Sequence, residues 1–348
     1  MLQIVDMAGD ARTRGVACGR ALAGRIAAHM ADWERWLAAA TGRPGLDYVR
    51  AMVRDTDYRT AIAAHTPDLM EEVQGLAEGA GADPDLVYGL QLMDEEWFYR
   101  GRAIQKCTSF AVVEPGGDAW IGQNMDLGAY TDGHQVMLRI AADGDRPAAL
   151  VFTTAGVIGL MGVNDAGVGV CVNSLPQLPA APHGLPVAFV LRRLLQARSV
   201  TEAAELACTL PHATNQHYVI AGPGAVRAFE TSSAGVVEYM PPDPARVFHT
   251  NHPLSDVEAA PESEAARRNS VRRLASVTAR LAQGRPGLPE YQAALCARDD
   301  PEHPVCREGG GNIGFTCGAM IARVAPGEVE AWASPGPPRR EGFTAVGF

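Results

Sequence analysis

The residue of this chain with the most evident chemistry is Cys107, at the head of the run Cys107-Thr108-Ser109-Phe110. A thiol becomes a strong nucleophile once its proton is removed, so the first question is which group would act as base. A papain-like thiol hydrolase would use an imidazole, and His217 and His252 are the candidates. A lone cysteine is more commonly a core residue, and position alone fits that reading. A zinc enzyme is a further option, with His303, Cys306 and Cys317, or His249 with His252, as ligand types. Their spacings match no standard site, and a second close pair is lacking.

The elements that would carry these residues change character near residue 105. Before it the pattern is helical. Val16, Leu22, Ile26, Met30, Trp33 and Leu37 recur at helical steps, Pro67 opens a second helix that Gly79–Gly81 ends, and a third begins at Asp83-Pro84 and carries Leu86, Leu90, Met93 and Trp97. After it strands dominate: Cys107–Glu114 and Ala119–Leu127 form a hairpin about Pro115–Asp118, with further hairpins turning at Asp143–Asp145 and Asn164–Gly167. Helices are expected at Val187–Gln196 and after Ser199, which with Glu202 forms a capping box. Strands return at Tyr218–Gly222, Val226–Thr231 and Val247–Asn251. Helices over Ser263–Gln283 and Pro289–Cys296 then precede a final pair of strands, Phe315–Val324 and Val329–Ser334. Two antiparallel sheets between helical layers fit this order, because each run of strands must bury a face and each helix pair can cover one.

With 348 residues, 47% of them hydrophobic, the chain can build a sizeable core, and disorder is excluded for most of it. A net charge of -10 argues against nucleic acid and anionic membrane as partners. The uncharged stretches Pro147–Asn164 and Ala166–Leu191 are interrupted by Gly, Thr, Asn and Pro and do not read as membrane spans. Asp6 and Asp10 interrupt the N-terminus before an apolar signal-peptide region can form. Seven cysteines, an odd number without a CxxC, point to a reducing compartment, and a cytoplasmic location is expected.

Cys107-Thr108-Ser109-Phe110 followed by Gly122-Gln123-Asn124-Met125-Asp126 resembles the acyl-coenzyme A:6-aminopenicillanic acid acyltransferase family of N-terminal-nucleophile (Ntn) hydrolases. Gly15–Ile26 and Pro67–Gly81 are similar to the pro-segment pattern of that family. Thr214–Tyr218, His249–His252 and Val305-Cys306-Arg307 resemble its later blocks, in order and over nearly the whole chain.

The resemblance implies an α+β fold, the four-layer αββα sandwich, with a helical pro-segment at 1–106 and a catalytic domain at 107–348. It implies self-cleavage between Lys106 and Cys107, so that one residue supplies both the thiol and, through its freed amine, the base. Asp126 would orient that amine. Asn251 would donate to the oxyanion, Asn173 would add a backbone N–H to the same hole, and Arg307 would steady a carboxylate of the site or the substrate. Thr108 or Ser109 would assist self-cleavage. Lys106 stands where members commonly have Gly, and Met125 where an aromatic is usual. The expected substrate is a small acyl amide or acyl thioester, with no cofactor and no metal. The expected macromolecular contacts are association of the two fragments and, as an option, a homo-oligomer. An uncleaved Ntn-fold binding or scaffold protein is the alternative from another functional class.

Overall fold

Side chains at the boundaries of the N-terminal helices explain where they start and stop. In the computed structural model, which describes residues 2–101, 107–309 and 314–348, strand β1 (Gln3–Met7) precedes helix α1 (Ala11–Thr41). Asp10 caps α1 by accepting from the Thr13 amide at 2.8 Å, and Gly42 closes it in the left-handed region at φ 70°. Helices α2 (Gly45–Asp55), α3 (Tyr58–His65), α4 (Pro67–Ala80), α5 (Pro84–Leu90) and α6 (Met93–Tyr99) follow. The single third helix expected from the sequence is two, α5 and α6. At Gln91 and Leu92 the backbone tightens to bonds three residues back, onto Tyr88 and Gly89, and the first helix ends there. Helices α2 and α3 were not anticipated, nor was β1, so the N-terminal segment is not wholly helical.

The β-rich part begins with β2 (Thr108–Val113), β3 (Ala119–Leu127), β4 (Gln135–Ile140), β5 (Ala149–Thr154), β6 (Met161–Asn164) and β7 (Gly169–Ser174). Helices α7 (Val187–Leu194) and α8 (Val200–Thr209) lead to β8 (Gln216–Gly222), β9 (Ala225–Ser232), β10 (Gly235–Glu238) and β11 (Arg246–His249). After α9 (Glu264–Leu281) and α10 (Leu288–Leu295), the chain ends with β12 (Phe315–Ala325), β13 (Glu328–Ser334), α11 (Pro338–Glu341) and β14 (Thr344–Val346). One sheet runs β1-β4-β5-β6-β7-β8-β9-β10 and the other β11-β2-β3-β12-β13-β14. Their pairings are antiparallel except β1 with β4, which is parallel.

The two sheets face each other through β2, β3, β7 and β8; α9 and α10 cover the smaller sheet, and α7 and α8 the larger. This is the four-layer αββα sandwich. Because β2 and β3 are covered on both faces, their residues are buried almost without exception, the polar Thr108, Ser109, Gln123, Asn124 and Asp126 included. On the outer face of the smaller sheet, Phe110 of β2 stacks on Tyr291 at 4.8 Å, and Trp120 of β3 on Tyr291 at 4.9 Å. These aromatic contacts hold α10 to the smaller sheet. Among the described residues no helix is long and apolar enough to cross a membrane, and the seven cysteines are unpaired.

The N-terminal segment is part of the core. Strand β1 joins the larger sheet, and α1 packs on α4 with glycines at the crossing. A Cβ on Gly15 would meet the Glu72 carbonyl and one on Gly79 the Val16 carbonyl, so the helices approach closely only because those positions are bare. Beside this crossing Glu72 is fully buried. It accepts from Arg14 Nε at 2.5 Å and from Arg192 at 2.7 and 3.0 Å, tying α4 to α1 and to α7 of the later chain. Removing the carboxylate leaves two buried guanidinium groups short of an acceptor. Glu72→Ala is therefore expected to lose about 3–5 kcal/mol in urea unfolding. Glu78→Ala, which breaks the exposed Arg12–Glu78 pair, should cost roughly 0–1 kcal/mol in the same experiment.

Candidate active site

Strand alternation aims the side chains around Cys107. Thr108 faces α9, where its hydroxyl meets Arg273, and Ser109 faces the opposite sheet, where its hydroxyl donates to Asn173 Oδ1 at 2.6 Å. Cys107 shares the parity of Ser109. Its thiol lies between the sheets, fully buried, 3.6 Å from Met125 Sδ. Burial pushes the thiol up to about 12. The Asp126 charge adds to this, the Asp126 backbone N–H opposes it, Asp94 raises it further and Arg273 lowers it. In the intact chain the thiol is therefore held protonated at neutral pH, and any attack by it needs a base to take that proton.

Asp126 ends β3. Its Oδ1 accepts from the Thr316 hydroxyl at 2.8 Å, and that hydroxyl accepts from the Arg307 amide at 2.9 Å. A bulge between Thr316 and Gly318 of β12 brings Thr316 opposite Asp126. Gly318 is required beside it, since a Cβ there would meet the Phe152 ring that crosses between the sheets. Arg307 thus reaches the Asp126 network through its backbone, and among the described residues its Nη1 has no partner.

Asn251 follows β11. Its Oδ1 accepts from Arg273 Nη2 at 2.8 Å, its Nδ2 donates to the Ser174 carbonyl at 2.9 Å, and its amide donates to Ser270 Oγ at 2.8 Å. A guanidinium can only donate, so the Asn251 oxygen must face Arg273, and its Nδ2 faces the end of β7, on the Ser174 carbonyl and, at 3.5 Å, the Ser174 hydroxyl. Asn173 lies on β7 opposite His217, and its Oδ1 accepts from Ser109 and from His217 Nδ1 at 3.2 Å. Lys106 lies outside the described residues.

The sequence reading missed Arg273, which joins these pieces. It is fully buried on α9. Nη1 donates to the Cys107 carbonyl at 2.5 Å and to Thr108 Oγ1 at 2.9 Å, Nη2 to Asn251, and Nε to Asn269 Oδ1 at 3.0 Å. Burial lowers its pKa to about 10, against the Asp126 charge that raises it, so it keeps its charge at neutral pH. A signal was present in the sequence: Asn269, Arg273, Val277 and Leu281 form a four-residue stripe on the buried face of α9. An arginine on that stripe has to be satisfied from inside the fold.

Among the described residues no group of three or more His, Cys, Asp or Glu could hold a metal ion. Neither candidate imidazole bonds the Cys107 thiol there: His217 Nδ1 is on Asn173, and His252 Nδ1 is 2.7 Å from Ser270 Oγ. No sequence signal marked the two carboxyls that α6 brings from the N-terminal segment. Loss of solvation, then Glu95, lifts Asp94 well above the ordinary range. Glu95 is fully buried, with Oε1 accepting from the Val187 amide at 3.0 Å and the Thr214 hydroxyl at 3.2 Å.

The fold class is the four-layer αββα sandwich. The chain belongs to the family described as Acyl-coenzyme A:6-aminopenicillanic acid acyl-transferase, which it matches over residues 112–312, a span that begins after Cys107 and takes in Asp126, Asn173, Asn251, Arg273 and Arg307. It is 31% identical over 190 residues to the acyl-coenzyme A:6-aminopenicillanic-acid-acyltransferase 40 kDa form of Emericella nidulans. That alignment covers 54% of this chain and 52% of the relative, so the chain spans about half the length of the protein it matches. Among solved structures, the Caenorhabditis elegans ortholog of N-acylethanolamine-hydrolyzing acid amidase aligns at TM-score 0.48 and 14% identity, over 69% of this chain and 100% of its own. A variant of conjugated bile acid hydrolase from Clostridium perfringens aligns at TM-score 0.43 and 13% identity, over 70% and 97%.

Burial raises Glu95 from 4.5 to about 7, against the lowering hydrogen bonds from Val187 and Thr214. The folded state therefore holds this proton more tightly than the unfolded chain, and the stability so gained is present below pH 4.5 and lost as pH rises through 7. Glu95→Gln removes that titration. The stability difference between Glu95→Gln and wild type should move in favour of the variant by on the order of 2–4 kcal/mol from pH 4.5 to 8, then level off, as read from denaturant melts across that range.

Proposed function

We propose that this protein is a self-processing amidohydrolase and acyltransferase that works through a thioester on Cys107. The observation that carries the reading is the buried Arg273 guanidinium, which binds the carbonyl of Cys107 and the amide oxygen of Asn251 at once. The nucleophile and the group that would stabilise the oxyanion are thereby held in one frame.

In the maturation step the Cys107 thiol attacks the carbonyl of Lys106. The sulfur–carbon bond forms, the peptide C–N bond breaks, and the nitrogen takes up the proton as the new α-amine. Water then hydrolyses the thioester and restores the thiol. The freed amine, with a reference pKa of about 7.7–8.0, is matched to a thiol of about 8.5 and serves as its base, so no histidine is needed. Asp126, anchored through Thr316, orients that amine. In turnover the thiol attacks an acyl amide, the amine product leaves with the proton, and water or an acceptor amine removes the acyl group. The Asn251 Nδ2 donates to the oxyanion, exchanging its long contact to the Ser174 hydroxyl for it, the Asn173 backbone N–H adds to the same hole, and Arg307 steadies a carboxylate of the site or the substrate.

The substrate class is a small N-acylated compound, with hydrolysis as the main outcome and acyl transfer as an accompanying one. The fragments 1–106 and 107–348 remain together after cleavage, because β1 and the Glu72 cluster bury the first against the second.

Mass spectrometry of the purified protein is expected to find the fragments 1–106 and 107–348, with Cys107 as the new N-terminus. Cys107→Ala should remain intact and inactive. An active protein found only as the uncleaved chain would overturn the mechanism. Against a panel of acyl amides, products of hydrolysis should exceed those of transfer at modest acceptor concentration, and the reverse would sink the hydrolase preference.

A further inference from the structure

A polar layer crosses the sandwich one step from the nucleophile. On the smaller sheet His249 pairs with Ser109, and on the larger sheet Asn173 pairs with His217, which pairs with Glu230. These side chains meet in the otherwise apolar space between the sheets, and Glu230 is buried to 1% exposure. None of these side chains takes part in the turnover proposed above, where Asn173 acts through its backbone.

His249 is hydrogen-bonded through both ring nitrogens. Nδ1 lies 2.9 Å from the Thr250 carbonyl and Nε2 2.9 Å from Glu230 Oε1. A carbonyl can only accept, so Nδ1 carries a hydrogen, and a second proton must lie between Nε2 and the carboxyl group. Glu230 also accepts from the Leu254 amide at 2.6 Å, the Ser255 amide at 3.2 Å and the Ser255 hydroxyl. Burial alone would raise this carboxyl. The bonds from His249, Ser255 and Leu254 outweigh burial and hold it below the ordinary range. The result is a buried imidazole–carboxylate pair joining the two sheets. The His217 ring, whose pKa is pushed well below the ordinary range first by burial and then by His249, stacks on the His249 ring with centroids 3.7 Å apart and planes within 6°.

Glu230 therefore grips the segment 249–255 on both sides of Asn251, through His249 before it and through Leu254 and Ser255 after it. Between those grips Asn251 is held by Ser270 and Arg273. We propose that Glu230, through its pair with His249, is a positioning residue that sets the Asn251 amide for the oxyanion. This deepens the proposed function and rests on Asn251 being the oxyanion donor.

The test compares Glu230→Gln, Asn251→Ala and the double variant as matured proteins, with rates normalised to free N-terminal Cys107. Glu230→Gln keeps the shape and loses the charge. It is expected to lower kcat roughly tenfold to a hundredfold with KM little changed. Asn251→Ala should lower kcat by on the order of 10²–10³, and the double variant should fall within about twofold of Asn251→Ala alone, because both act through one amide. Alkylation of Cys107 by iodoacetamide forms no oxyanion, so its rate should stay at the wild-type value in Glu230→Gln. His249→Gln is expected to reproduce the kcat loss, which keeps the test open should Glu230→Gln not fold. A wild-type kcat in the folded Glu230 and His249 variants, losses that multiply in the double variant, or alkylation slowed in step with kcat would each overturn the proposal. Undiminished turnover in Asn251→Ala would instead remove the oxyanion reading beneath it, a result separable from the others.

Discussion

A guanidinium taken out of water needs an acceptor for each of its faces, and the acceptors around Arg273 come from separate parts of the chain. The Cys107 carbonyl and Thr108 hydroxyl come from the head of β2, Asn251 from the segment after β11, and Asn269 from the preceding turn of α9. Leaving any one unmade would leave a buried N–H of the guanidinium unsatisfied, at a cost of about 1–3 kcal/mol. The arginine therefore makes the relative placement of β2, the Asn251 segment and α9 a single condition. The bonds that satisfy a buried charge also hold the proposed nucleophile and oxyanion donor in register.

The same logic operates on the opposite side of the larger sheet. Glu72 sits between Arg14 and Arg192 at the glycine crossing of α1 and α4, so the N-terminal segment is joined to the later chain by close helix contact and by charge. With β1 in the sheet, the segment is a structural part of the sandwich. It also brings α6, and with it Asp94 and Glu95, toward the site, which is why the electrostatics around Cys107 depend on residues that precede it.

Between the sheets the fold departs from a purely apolar core. The layer from Ser109 through Asn173, His217 and His249 to Glu230 is tolerable because most of its polar atoms are bonded across it, with Asn173 Nδ2 and His217 Nε2 the exceptions among the described residues. Such a layer specifies alignment in a way that interdigitating Val and Leu cannot, since apolar side chains can slide while directional bonds lapse on small shifts. Fixing Asn251 requires that kind of precision.

Much of the fold was legible in the sequence. The β2–β3 hairpin, the turns at Asp143 and Asn164, the Ser199 cap and the closing hairpin follow from local rules, because turn residues and alternation act over a few neighbours. The hairpin placed Cys107 and Asp126 at one end of adjacent strands, so that part of the candidate site was legible too. Arg307 was legible as a residue but not in its contact, since its tie to Asp126 runs through the backbone and Thr316. Helices α2 and α3 and strand β1 escaped because they owe their stability to α1, α4 and β4. The parts hidden from the sequence share one property: they satisfy buried charge across long separations. Arg273, Glu230 with His249, and Glu95 have partners distant in the chain, and no local pattern announces which carbonyl or amide will lie within 3 Å of them. By itself the sequence determined the strand pairs and the thiol at their head, through short-range sterics and hydrophobic period. The tertiary structure alone decided which buried polar groups meet there, because such groups can be paired only once the layers have closed over them.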